Sequence, residues 1–185
     1  MRVAALKIDS AHISALRAEE LALVGSACGQ RRAEFATGRA LLHDLLGTPE
    51  PIVRSANGSP AWPEGVVGSL AHDRSHAIAA VGSAQNYRTI GIDIEPHGKP
   101  EDDELRMSVL RADDPDIDPV AAFVMKEAAY KAWSDLGGEI VGPLEVRLQV
   151  VGYKFTAEMP APNMQVQGTL VNTGEAWLAI AMIST

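Results

Sequence analysis

The chain has 185 residues, a formal charge of −8, 46% hydrophobic and 22% charged residues, and a single cysteine, Cys28. That length suits one packed domain or two small halves sharing a core, and the acidic balance argues against a general nucleic-acid binder. One cysteine excludes an internal disulfide framework and a cysteine-based zinc site, and the longest apolar run, AWLAIAMI at 176–183, is too short to span a bilayer.

The first twenty positions carry Arg2, Lys7, Asp9 and Arg17, unlike a secretory signal, so a cytoplasmic protein is the expectation. Residues 3–8 read as a strand and 14–26 as a helix stopped by Gly25. A longer helix is predicted over 31–47, with Phe35, Leu42, Leu45 and Leu46 at helical spacing and Gly47 and Pro49 as stops. After the turn-rich stretch 55–65 come three predicted strands, VVGSLA, HAIAAVG and RTIGIDIE, and SAQNY between the last two suits a hairpin loop. Residues 101–118 hold eight carboxylates against Arg106 and Arg111, a local balance of −6. That acidic segment, 97–118, is interrupted by prolines and is expected to be irregular and mobile in part. A helix over about 119–136 follows, and the remainder reads as an antiparallel meander. The overall expectation is an α+β fold.

Chemistry concentrates first in IGIDIEP, 90–96. Alternation puts Ile90, Ile92 and Ile94 on one face and Gly91, Asp93 and Glu95 on the other, with the two acids about 7 Å apart at their Cα atoms. Gly91 leaves space beside them, and Pro96 ends the ladder. Two like charges this close repel unless a cation lies between them, although for this pattern alone a strand whose second face is simply wet is the plainer reading. In FVMKEAAYKAW, 123–133, Glu127 and Lys131 are four apart on one helix face. They read either as a solvated surface pair or, with Asp93 and Glu95, as part of an oxygen-ligand set for a divalent ion.

Four segments in register carry a resemblance: RRAEFATGR at 31–39, GSPAWPEGVVGSLAH at 58–72, IGIDIEPH at 90–97 and KEAAYKAW at 126–133. Together they resemble the phosphopantetheinyl transferases of the surfactin-synthetase-activating type, in the branch with the enterobactin-synthetase component and the actinobacterial enzymes. The resemblance covers about residues 30–135. It implies two pseudo-symmetric α/β halves, about 1–87 and 88–185 of a single domain, with the active site between them. It also implies transfer of the 4′-phosphopantetheine arm of coenzyme A to a serine of an apo acyl- or peptidyl-carrier protein, with release of 3′,5′-ADP.

By position, the resemblance makes Asp93, Glu95 and Glu127 ligands of Mg²⁺ (or Mn²⁺), Glu127 a general base and Lys131 the residue beside the leaving phosphate. Arg31, Arg39, Arg54 and His72 fall where relatives meet the 3′-phosphate of coenzyme A, and Ser59 and Pro60 border the adenine. Asp93 and Lys131 would also touch coenzyme A. A monomer is expected, acting on neither nucleic acid nor membrane. His76 and His97 read as structural. Against the family pattern, Ala71 replaces a common serine, Ser59 a common lysine, and Val124 and Met125 a small polar position. The 32-residue step from Glu95 to Glu127 is short and acidic. A coenzyme A- or carrier-binding protein without catalysis, or another magnesium-dependent phosphotransferase, stays open on the residues alone.

Overall fold

The computed structural model describes residues 1–55, 58–97, 103–160 and 164–185. Among the described residues, eight strands and four α-helices follow in the order β1 (Arg2–Lys7), α1 (Ala18–Ala22), α2 (Gly29–Leu46), β2 (Val66–His72), β3 (His76–Ser83), β4 (Tyr87–Pro96), α3 (Asp103–Val109), α4 (Pro119–Ser134), β5 (Arg147–Val151), β6 (Lys154–Glu158), β7 (Gln165–Asn172) and β8 (Ala176–Ser184). The strands form two antiparallel sheets, ordered β1-β3-β2 and β4-β8-β7-β6-β5. Among the described residues no helix is long and apolar enough to cross a membrane.

The predicted helix over 14–26 is broken. Residues 10–15 make a 3-10 turn, Leu16 and Arg17 are extended, and only Ala18–Ala22 is α-helical. The cause is Glu20, which is buried: one carboxylate oxygen accepts from the Arg17 N–H at 3.0 Å, and the other from the Ile52 N–H and His43 Nε2, each at 2.8 Å. The hairpin predicted between β3 and β4 is also absent, although residues 83–87 do make a tight turn. Both edges of β3 are taken by β1 and β2, so β4 pairs with β8 in the other sheet.

The acidic segment carries more order than its composition suggests. Residues 98–102 lie outside the described residues, but 103–109 form α3 and the Asp114 side chain is buried. Helix α4 starts where Asp118 accepts from the Ala121 N–H and Pro119 takes the first turn. Helix α2 ends at Gly47, whose φ of 65° supplies the left-handed cap.

Strand β4 is buried on both faces. Ile90, Ile92 and Ile94 pack with Ala71, Ile78 and Ala80 of the small sheet, closing the seam between the sheets. Helix α2 covers the other face of that sheet through Leu41, Leu42 and Leu45. Helix α4 covers the large sheet with an alanine-rich face, Ala122, Ala128, Ala129 and Ala132, none of which is accessible to solvent. The space beside Gly91 is therefore filled, not open: a Cβ there would strike the Ala128 carbonyl and lie 2.7 Å from Ala132 N. Only glycine allows this approach of backbone to backbone.

Candidate active site

That close approach brings the α4 side chains onto the acidic face of β4. Lys131 Nζ donates to Asp93 Oδ1 at 2.6 Å and to the Ile92 carbonyl at 3.1 Å. The second oxygen of Asp93 is buried with no hydrogen-bond partner. Burial raises the Asp93 carboxyl above its ordinary value, against the pull of Lys131. Glu95 is raised by burial and then by Asp93 and Asp73, and Glu127 by burial and then by Asp93. Asp93, Glu95 and Glu127 thus stand within one another's field, with Lys131 as their shared counter-charge.

An all-oxygen donor set with one unpartnered buried oxygen fits a hard divalent cation. As they stand, however, no three metal-ligating side chains among the described residues converge closely enough to hold one. Asp93 is engaged with Lys131 instead.

Lys131 also lines a cleft of about 580 Å³ together with Arg31, Arg39, Arg54, Ser59, Pro60 and His72. The residues singled out from widely separated segments therefore share one surface. Asp93, Glu95 and Glu127 do not line it, and Lys131 joins them to it. Arg31 Nη1 lies 2.9 Å from His72 Nε2; because a guanidinium only donates, Nε2 is the acceptor. Glu34 accepts from Arg31 at 3.3 Å and stands 3.8 Å from His72 Nε2. Arg39 is buried, 3% exposed, with its guanidinium 4.3 Å from the Phe35 ring centroid and its Nε unpartnered. Burial lowers its pKa to about 10, and the neighbouring Arg54, 5.7 Å from the same ring, pushes in the same direction against Glu20. Two cations thus share one ring, one of them desolvated, which is chemistry suited to an anionic group.

The departures at Ala71, Val124 and Met125 have structural explanations. Ala71 faces the apolar seam rather than the cleft, and Val124 and Met125 are wholly buried on the inner side of α4. Sequence reasoning missed Phe35, although it lies four residues from both Arg31 and Arg39 and so shares their helix face. It also missed the opposite wall, Tyr130, Ser134, Asp135, Gly138 and Ile140, where Tyr130 and Ser134 again repeat at helical spacing.

The amino-acid sequence is also similar to that of known proteins. A family model described as the 4′-phosphopantetheinyl transferase N-terminal domain matches residues 19–82. The 4′-phosphopantetheinyl transferase PptT of Mycobacterium tuberculosis is 39% identical over 131 residues, covering 64% of this chain and 58% of its own length. Svp of Streptomyces mobaraensis, also a 4′-phosphopantetheinyl transferase, is 34% identical over 185 aligned residues, covering 90% of this chain and 75% of the relative. Enterobactin synthase component D of Salmonella typhi is 35% identical over 127 residues, 60% of this chain and 51% of its own length. The matched stretch is thus under two thirds of PptT and about half of the enterobactin component, but three quarters of Svp. With a basic cleft joined through one lysine to a buried acidic strand end, and with this coverage of Svp, the chain belongs to the 4′-phosphopantetheinyl transferase family.

Proposed function

We propose that the protein transfers the 4′-phosphopantetheine arm of coenzyme A to a serine hydroxyl of an apo acyl- or peptidyl-carrier protein, releasing 3′,5′-ADP. The observation that carries this reading is Lys131, which lines the arginine-rich cleft and at the same time grips Asp93. Coenzyme A would lie between the two halves of the domain, about 1–87 and 88–185, its 3′-phosphate toward Arg31, Arg39, Arg54 and His72 and its adenine by Ser59 and Pro60. Asp93, Glu95 and Glu127 would hold Mg²⁺, or Mn²⁺, which when bound neutralises diphosphate charge and polarises the β-phosphorus.

The chain's own residues supply the rest. The serine oxygen bonds to the β-phosphorus as the bridging P–O bond breaks, and 3′,5′-ADP departs with the electron pair. Glu127 takes the serine proton; its raised pKa brings it nearer the working pH, where a base is most effective. Lys131 uses two N–H groups on Asp93 and Ile92, and its third is available to the leaving phosphate. The protein would work as a cytoplasmic monomer.

Intact-mass spectrometry of a panel of apo carrier proteins, incubated with the protein, coenzyme A and Mg²⁺, tests the reading. A carrier should gain the mass of one phosphopantetheine arm, and Asp93→Asn and Glu127→Gln should abolish the gain while remaining folded. Coenzyme A binding without any mass gain across the panel would leave a binding protein, not a transferase.

A further inference from the structure

The residue just before Glu127 is a lysine whose charge has gone into the core. Lys126 is 1% exposed, and its ammonium donates to three acceptors: Asp114 Oδ2 at 2.6 Å, the Val109 carbonyl at 2.7 Å and the Pro143 carbonyl at 3.0 Å. The Asp114 side chain is equally buried. Besides Lys126 it accepts from the Leu148 N–H at 2.7 Å and the Arg111 N–H at 3.0 Å. Every donor site of the ammonium is used, so no proton of Lys126 remains for a substrate phosphate. Burial lowers its pKa, against the attraction of Asp114. The pair ties four segments to one point on α4: the end of α3, the loop around Arg111, the turn at Pro143 and the start of β5.

Successive helix residues point 100° apart. Lys126, held by these segments, therefore fixes the roll of α4, while Gly91 fixes its distance from β4. Together the two contacts decide where Glu127 stands relative to Asp93. We propose that Lys126 and Asp114 are positioning residues: their buried pair aims Glu127 at the acidic end of β4, so that the acidic segment acts on the reaction through the helix and not by touching substrate. This rests on the transferase reading above.

The test is the double variant D114N/K126M in the full chain. Methionine keeps the length of the lysine, and asparagine keeps an acceptor for the Leu148 N–H, so both charges leave together and neither is stranded. The expected result is cooperative unfolding with a tenfold or greater loss of kcat, and KM for coenzyme A within threefold of the parent. Mn²⁺ binding in the coenzyme A complex, followed by electron paramagnetic resonance, should weaken at least fivefold. A folded double variant with kcat and Mn²⁺ affinity within twofold of the parent overturns the proposal, as does a parallel loss of kcat and coenzyme A affinity. If the double variant does not fold, D114N/K126Q at low temperature gives the same readings, since glutamine removes the charge and keeps N–H donors for the Val109 and Pro143 carbonyls. A parent that binds Mn²⁺ but transfers nothing would sink the transferase reading and leave Mn²⁺ affinity to decide this one; a parent that transfers with Mg²⁺ but binds no Mn²⁺ keeps the transferase reading and sinks this one.

Discussion

Gly91→Ala probes the contact on which the site is built. A methyl group at this position lies 2.7 Å from Ala132 N and closer still to the Ala128 carbonyl, whereas ordinary van der Waals contact begins near 3.4 Å. Both obstacles are helix backbone, which cannot swing aside as a side chain would, so α4 must back away from β4. Overpacking of a tight core costs about 1–3 kcal/mol, and a clash with rigid backbone belongs at the upper end. For a chain of this size, about 3 kcal/mol lowers Tm by roughly 6–12 °C. The Asp93–Lys131 contact, 2.6 Å long, spans the same gap, so it opens as the helix retreats. A misplacement of about 1 Å at a reacting centre can cost on the order of a hundredfold in rate. The assay pairs urea denaturation with transfer rates at saturating coenzyme A, using Gly29→Ala as control because a methyl there meets nothing within 4 Å. Stability within about 0.5 kcal/mol of the parent, the scatter of neutral surface changes, together with unaltered transfer would refute the packing argument.

Three further outcomes are expected. Arg39→Met should raise KM for coenzyme A by about 10–100-fold, the worth of one charge-assisted phosphate contact, with kcat little changed; coenzyme A titration checks it. Thr89→Val should stabilise the protein by about 1 kcal/mol in thermal unfolding, because the Thr89 hydroxyl is buried without a partner and valine fills the same volume. The third concerns pH. Asp93, Glu95 and Glu127 have folded-state pKa values above their unfolded ones, so the folded form binds more protons through that window. Stability from these three is therefore greatest at acid pH and declines as pH rises past the ordinary carboxylate range, whereas Glu20 acts oppositely. Burial alone would raise Glu20, but the Ile52 and Arg17 N–H groups and His43 outweigh it. Added Mg²⁺ should accordingly raise Tm more at pH 7.5 than at pH 5, measured by calorimetry; an equal rise at both would contradict the shared acidic site.

Local patterns determined a good deal. Alternation in 90–95 fixed which residues share a face of β4, and helical spacing in 31–46 and 119–134 fixed two long helices, because those periods follow from backbone geometry alone. The motif register also named seven residues that line one cleft, although nothing in their spacing says that α2, β2 and α4 meet. The remainder depended on partners distant in sequence. Whether β4 would pair with β3 or β8 turned on β1 having already taken the free edge of β3. The run 14–26 could not stay helical once Glu20 was drawn inward by Ile52 and His43, thirty-two and twenty-three positions away. Lys126 and Lys131 look alike in sequence, two lysines on one amphipathic helix. Tertiary packing separates them, burying one ammonium against Asp114 and leaving the other between Asp93 and the cleft, because the fate of a charge is set by the groups that surround it after folding.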